Sequence, residues 1–216
     1  MALNLPLSLN DFADRLKITE VKWKLQRYDE LSGLGTGDVL AAELAPPRIS
    51  GDVTIGPMYH NQAAAIQALI EVLEPAQSFY LYDPKKKYPI ADPDGSIFGS
   101  STPVIFTVGV NNKSMQVSGL PAGYVLSLGD WISFDYGSNP VRRAFHRIVE
   151  TATANGSGVT PSFEVRPHFR PGVTTGLAVT LIKPAPKVFI MPDSFDPGTA
   201  RGLFTEGMSF QVMQRP

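Results

Sequence analysis

The sequence predicts a mainly β protein, a β-sandwich or split barrel with one flanking α-helix and a small inserted β-barrel. Three observations carry that expectation. Glycine and proline each occur 19 times in 216 residues, with no fixed period; punctuation of that density suits many short strands joined by tight turns. Between the turns, apolar and polar residues alternate as they do along a half-buried strand. Only one long segment shows the i, i+3, i+4, i+7 repeat of an amphipathic helix.

The elements follow in order. Ser8 can cap a first turn, Asp11 sits three residues on, and Leu9, Phe12 and Leu16 share a face, so a short helix is expected there. Val21, Trp23 and Leu25 alternate with Lys22, Lys24 and Gln26 and describe a strand. Asp29 to Pro47 reads as a long connector around Gly33-Leu34-Gly35-Thr36-Gly37. Connectors of that length inside compact domains are functional or disordered. Arg48 to Met58 is a second strand, with Val53 and Ile55 on one face. Asn61 to Glu74 is the helix: Ile66, Leu69, Ile70 and Leu73 lie on one side, Asn61 can cap it and Pro75 stops it.

Ser78 to Tyr82 reads as a strand and Asp83 to Pro103 as a second long loop. Val104 to Val110 and Met115 to Gly119 make a hairpin around Asn111-Asn112-Lys113. From Gly119 to Gly172 the pattern is strand, Gly129-Asp130 turn, strand from Trp131, long strand from Arg142, Gly156-Ser157-Gly158 turn, and strand from Phe163. Val179 to Ile182, Val188 to Met191 and Met208 to Met213 complete the chain, the last expected to close a sheet with the first strands. The expected division is 1–98 with 174–216 as one sandwich carrying the helix at 61–74, and 99–173 as the insert.

Bulk chemistry narrows the function classes. Lysine plus arginine (19) nearly cancels aspartate plus glutamate (20), and the one positive run is Lys85-Lys86-Lys87. Holding duplex DNA by its phosphates needs a clustered basic excess. The absence of cysteine removes disulfides, thiolate zinc sites and thiol nucleophiles. The first residues lack the basic and long apolar regions of a signal peptide, and no apolar run approaches the length of a membrane span. The expected setting is therefore a cytoplasm, without membrane insertion.

The order of these elements resembles the tail-tube fold of bacteriophage tails, and in particular the distal tail proteins of long-tailed, siphovirus-like phages, which carry an inserted β-domain. The matching stretches are Gly56-Pro57-Met58 leading into Ala63 to Glu71, Ser78 to Pro84, Ala91 to Gly95, and the module from Leu128 to Pro171. The resemblance implies a structural protein of the virion tail tip, assembled in the host cytoplasm. It implies a homo-oligomeric ring, six-fold, between tail tube and baseplate hub, in contact with tube, tape measure and hub proteins, with DNA passing through the lumen. The weak net charge suits such a conduit, because a lumen dense in lysine and arginine would retain phosphate.

In that family the long loop between the first strands reaches a neighbouring ring or subunit, which places interface residues here at Gly33, Gly35, Gly37, Val39, Leu40 and Leu44. The C-terminal strand adds Met208, Phe210 and Val212, by backbone pairing and apolar anchoring.

Chemistry-bearing constellations are sparse. His60, His146 and His168 are the only histidines, and no two of them stand at the i, i+4 spacing of a helical zinc site. Asp92-Pro93-Asp94-Gly95 lacks the remaining oxygens of a calcium loop and reads as a turn. The glycine run at 33–37 is neither a P-loop nor a dinucleotide fingerprint, and no Gly-x-Ser-x-Gly elbow is present. No enzyme activity, metal or cofactor is therefore expected. The rival reading is a carbohydrate-binding or host-adhesion module, with Trp131 and Tyr136, and Phe134 and Tyr88 nearby, as an aromatic platform. Alternation sets Trp131 and Ser133 against Ile132, Phe134 and Tyr136 on opposite faces of one strand.

Overall fold

A computed structural model describes residues 4–73 and 77–215 of the chain. Two strands open it, Ile18–Gly33 (β1) and Val39–Ile55 (β2), paired antiparallel from Ile18 opposite Ile55 to Gly33 opposite Val39. The connector expected from Asp29 to Pro47 is thus strand almost throughout, and only residues 34–38 turn. Leu34 N–H donates to the Asp38 carbonyl at 2.8 Å, and Gly37 adopts a φ of 89°, a left-handed conformation that glycine takes at little cost. Pro46-Pro47 reads as a break because proline cannot donate to a ladder. The register accommodates it: Gln26 faces Arg48, Tyr28 faces Ala45, and both prolines fall into a bulge between those pairs.

The chain continues through Met58–Tyr59 (β3), the helix His60–Glu71 (α1) and Phe79–Tyr80 (β4). Helix α1 buries Ala63, Ile66 and Ile70. Asn61 does not cap it. Tyr59 holds the cap position without a side-chain bond, and the Asn61 carboxamide accepts from Gln62 N–H instead. Glu74 and the stop at Pro75 lie outside the described residues. At the N-terminus the expected short helix is only a set of turns ending in a single 3-10 turn, Ala13–Arg15. Ser8 does accept from Asp11 N–H, as its spacing suggests. Leu7 is already bonded to Ser78 and Tyr80, and Ile18 begins β1, which leaves no room for an α-helical run.

The insert contains Val104–Val108 (β5), Ser114–Ser118 (β6), Val125–Leu126 (β7), Trp131–Tyr136 (β8), Arg142–Ile148 (β9), Ala152–Thr153 (β10), Phe163–Arg166 (β11) and Val179–Thr180 (β12). After it come Lys187–Ile190 (β13), Thr199–Arg201 (β14), Phe204–Glu206 (β15) and Ser209–Gln214 (β16). Four sheets result: β1-β2-β16-β13-β4, then β12-β8-β9-β11-β6-β5, then β14-β15-β3, and the pair β10-β7. A bridge between Val104 and Ala178 brings the outer strands of the six-stranded sheet together, so the insert is a nearly closed barrel. The fold is mainly β with one α-helix among the described residues, as composition and periodicity predict.

Three features differ from expectation. β12 pairs with β8, Val179 opposite Phe134, so it belongs to the barrel and the second boundary falls later than residue 174. The five-stranded sheet is left at Tyr80 and rejoined at Lys187, which are direct partners across β4 and β13. The hairpin of β14 and β15 is additional; its Gly202-Leu203 turn, with Gly202 at a φ of 57°, is the two-residue signal that would have identified it.

β16 does lie against β2, as expected, and it lies against β13 on its other side, so it is a central strand. Two apolar cores lie under the two large sheets. One gathers Phe12, Phe79, Phe210 and Val212; the other gathers Ile132, Phe134, Phe163 and Val165 inside the barrel.

Candidate functional site at the arm and the cleft beneath it

The far half of the β1–β2 hairpin is an arm with no side-chain cover. Leu31 is 68% exposed, Val39 63%, Leu40 57% and Leu44 68%. Gly33, Gly35 and Gly37 at its tip stand in open space, with nothing near enough to touch an added methyl group. A paired ribbon is stiffer than a connector, so these apolar residues are held at a set distance from the body. The arm is also acidic. Residues 29–44 hold Asp29, Glu30, Asp38 and Glu43 and no lysine or arginine. Six of the sequence-predicted interface residues, from Gly33 to Leu44, therefore share one exposed element.

The other three do not join them. Met208, Phe210 and Val212 are 2%, 1% and 0% exposed and pack inside the chain's own core. Their strand is flanked on both sides, so its apolar alternation reports burial within the chain. It offers neither a free edge nor an apolar face to a partner.

Where the arm meets the barrel there is a cleft of about 280 Å³. The arm side contributes Leu25, Arg27, Glu43 and Pro47, and the barrel side Tyr136, Arg143, His146, Arg166, His168 and Arg170. Most of the arginines are matched. Arg27 pairs with Asp29 at 2.9 Å and Arg143 with Asp135 at 3.2 Å, while Arg166 bonds Glu164 and His168. Arg143 also donates to the Ala185 carbonyl and the Ser133 hydroxyl, which ties β9 to β8 and to the segment between β12 and β13.

His146 and His168, distant in sequence from each other's strand, line the same cleft. His146 is buried between Phe134 and Phe169, and its Nδ1–H donates to the Pro167 carbonyl at 2.7 Å. Burial pushes its pKa down to about 4, only partly offset by that bond, so the ring is neutral at pH 7. His168 is also lowered, by burial and then by the Arg166 charge. His60 lies elsewhere, bonded to Thr205 and the Gly202 carbonyl. Among the described residues no three histidines or carboxylates gather as a metal site.

The aromatic platform does not form. Trp131 is 6% exposed and Tyr136 3%, and as alternate faces of β8 require, they sit in different surroundings. Tyr136 edges the cleft beside Arg170, whereas Trp131 belongs to a column that joins the two large sheets. Its ring stacks on Phe145 at 4.4 Å and 1°, Phe145 meets Trp23 at 5.5 Å, and Arg147 covers the outer face at 4.4 Å. Gly51, opposite Trp23 on β2, is the floor of the column: a methyl group there would fall 2.7 Å from the indole. Neither indole N–H finds an acceptor among the described residues, so area and ring geometry hold the column.

The long loop before β5 is fastened rather than free. Asp130 accepts from Ile90 N–H and Ser127 N–H, and Asp92 from Ile97 N–H and Phe98 N–H. Gly95 N–H donates to the Asp92 carbonyl, so Asp92-Pro93-Asp94-Gly95 is the turn its sequence suggests. Lys85 to Lys87 and Tyr88 line a second cleft of about 410 Å³ against the barrel, with Lys87 over the Tyr88 ring. No helix among the described residues is long and apolar enough to cross a membrane. No protein-family model matches the chain, and no curated protein sequence matches it either.

Proposed function

We propose that this chain is a structural component of a bacteriophage tail tip, a distal tail-like subunit that builds a ring between tail tube and baseplate hub and lets DNA pass. One observation carries the reading: the chain spends a long paired ribbon on holding Leu31, Val39, Leu40 and Leu44 in solvent. Exposed apolar side chains on a stiff, projecting element have a use when another protein covers them. Among the described residues the outer edge of β1 is unpaired as well, so backbone donors are available beside those side chains. A closed ring requires one patch to meet a different patch on the next copy, and an arm with a body supplies two unlike surfaces.

Within this reading the barrel is a lateral module and the five-stranded sheet is the ring-forming body. The near-zero net charge keeps a passing duplex from being held. Negative-stain electron microscopy with multi-angle light scattering, over a range of protein concentration, tests it. Closed rings with a hole wider than a DNA duplex are the expected result. A chain that stays monomeric at every concentration counts against it.

A further inference from the structure

Arg48, Arg142 and Arg170 have no carboxylate partner among the described residues. Arg170 is half-buried in the cleft wall. Arg142 stands opposite Tyr136 across β8 and β9, and Arg48 follows the proline bulge on β2. Burial first, then the charges of Arg48 and Arg142, lowers the pKa of Arg170, partly offset by Tyr136. None of the three forms an ion pair with a carboxylate among the described residues, while Arg27, Arg143 and Arg166, which line the cleft with Arg170, each do. Arg48 and Arg170 are half-buried and Arg142 is exposed; a half-buried cation beside like charges is unfavourable until an anion offsets it.

The arm tip shows the opposite imbalance. Glu30 and Asp38 are exposed and form no ion pair among the described residues, and no lysine or arginine lies within residues 29–44. They cannot reach the cluster of their own chain. Along β2, Arg48 lies some six residues from Ala42, which faces Glu30, and some ten from Asp38. At about 3.3 Å per residue these spans are roughly 20 and 33 Å, against a screening length of about 8 Å in physiological salt. Glu43 at the cleft rim is nearer, and it too makes no ion pair among the described residues. The apolar content also matches, since Leu31, Val39 and Leu40 at the tip face solvent and Leu25, Pro47 and Val173 line the cleft.

We propose that the cluster of Arg48, Arg142 and Arg170 receives the carboxylates of Glu30 and Asp38 from the arm of a second copy of this chain. The contact joins unlike patches, so it propagates from copy to copy and closes when the rotation allows. It rests on the ring-forming reading and gives that reading a chemical basis. Duplex DNA is disfavoured because it needs an extended row of cations and a basic excess, whereas the chain's lysines and arginines (19) are nearly cancelled by its carboxylates (20).

Charge exchange tests it. Sedimentation-velocity series are run on wild type, the arm variant E30K/D38K, the cluster variant R142E/R170E, and all four substitutions together. Arg142→Glu alone, at an exposed position, repeats the cluster test without disturbing packed side chains. Either reversal is expected to weaken self-association at least about tenfold, and the fourfold variant to recover most of it. Wild-type association that ignores both reversals, or fails to return in the fourfold variant, overturns the contact and leaves the ring reading standing. A wild type that never associates overturns both. Binding of a duplex oligonucleotide that the cluster variant loses would identify a phosphate site and likewise overturn the contact.

Discussion

His146 shows how a single residue ties function-bearing geometry to pH. Its pKa in the fold, about 4, lies below the ordinary 6.5 because burial disfavours the imidazolium. As pH falls from 6.5 towards 4, the unfolded chain takes up a proton that the folded chain refuses, so stability is lost across that window. A shift of this size corresponds to about 3 kcal/mol. His146→Gln keeps a donor for the Pro167 carbonyl and cannot ionise. Chemical denaturation at pH 7 and pH 4.5 should show the wild type losing more stability than H146Q between the two. Equal losses would mean that the ring is not buried neutral. Gly51 makes a second residue-scale case. A methyl group there drives into Trp23 and through it displaces Phe145 and Trp131, so Gly51→Ala should cost about 1–3 kcal/mol, read as a lower melting temperature by calorimetry. An unchanged melting temperature would show that the column gives way freely.

At the scale of elements, the arm is separable from the body. The tip strands pair only with each other beyond Tyr28 and Ala45, and their side chains bury little. Joining Glu30 to Ala42 through an Asn-Gly turn should therefore leave the melting temperature within a few degrees while abolishing self-association by light scattering. A large loss of thermal stability would show that the arm supports the body. Much of the element map is legible from sequence, because alternation locates β5, β6, β8, β9 and β16, and the i, i+4 repeat locates α1. What the sequence hides has physical causes. Pro46-Pro47 breaks a local pattern while the long-range register resumes beyond it, so a ribbon reads as a loop. The same alternation in Met208, Phe210 and Val212 describes an interface or a core equally well, and only two flanking strands decide for the core. Trp131 reads as a platform because what covers it is long-range: Phe145 from the neighbouring strand β9, backed by Trp23 from β1 of the other sheet. The arginine cluster gives no sequence signal at all, since its members are 94 and 28 residues apart (142 − 48 and 170 − 142).

Considered as a whole, the molecule is a sheet with an acidic arm at one corner and a nearly closed barrel set into it. Positive and negative charge nearly cancel in total but are unevenly placed, with the arm all acidic and the cleft rich in arginine. A conduit reading predicts weak affinity for duplex DNA. In gel-shift titrations at about 150 mM salt the dissociation constant should be weaker than about 10⁻⁴ M, the loose end of ordinary non-specific binding. Tighter binding would be incompatible with free passage. One feature of the barrel reaches beyond this protein. The chain departs at Tyr80 and returns at Lys187, neighbours across a single ladder rung, and adjacent rung residues lie only about 5 Å apart. That rung is a natural splice point for engineering: a foreign domain whose termini lie side by side can be grafted there without parting β4 from β13. The graft must bring its own lid for Trp23, or the exchange leaves an indole bare to water.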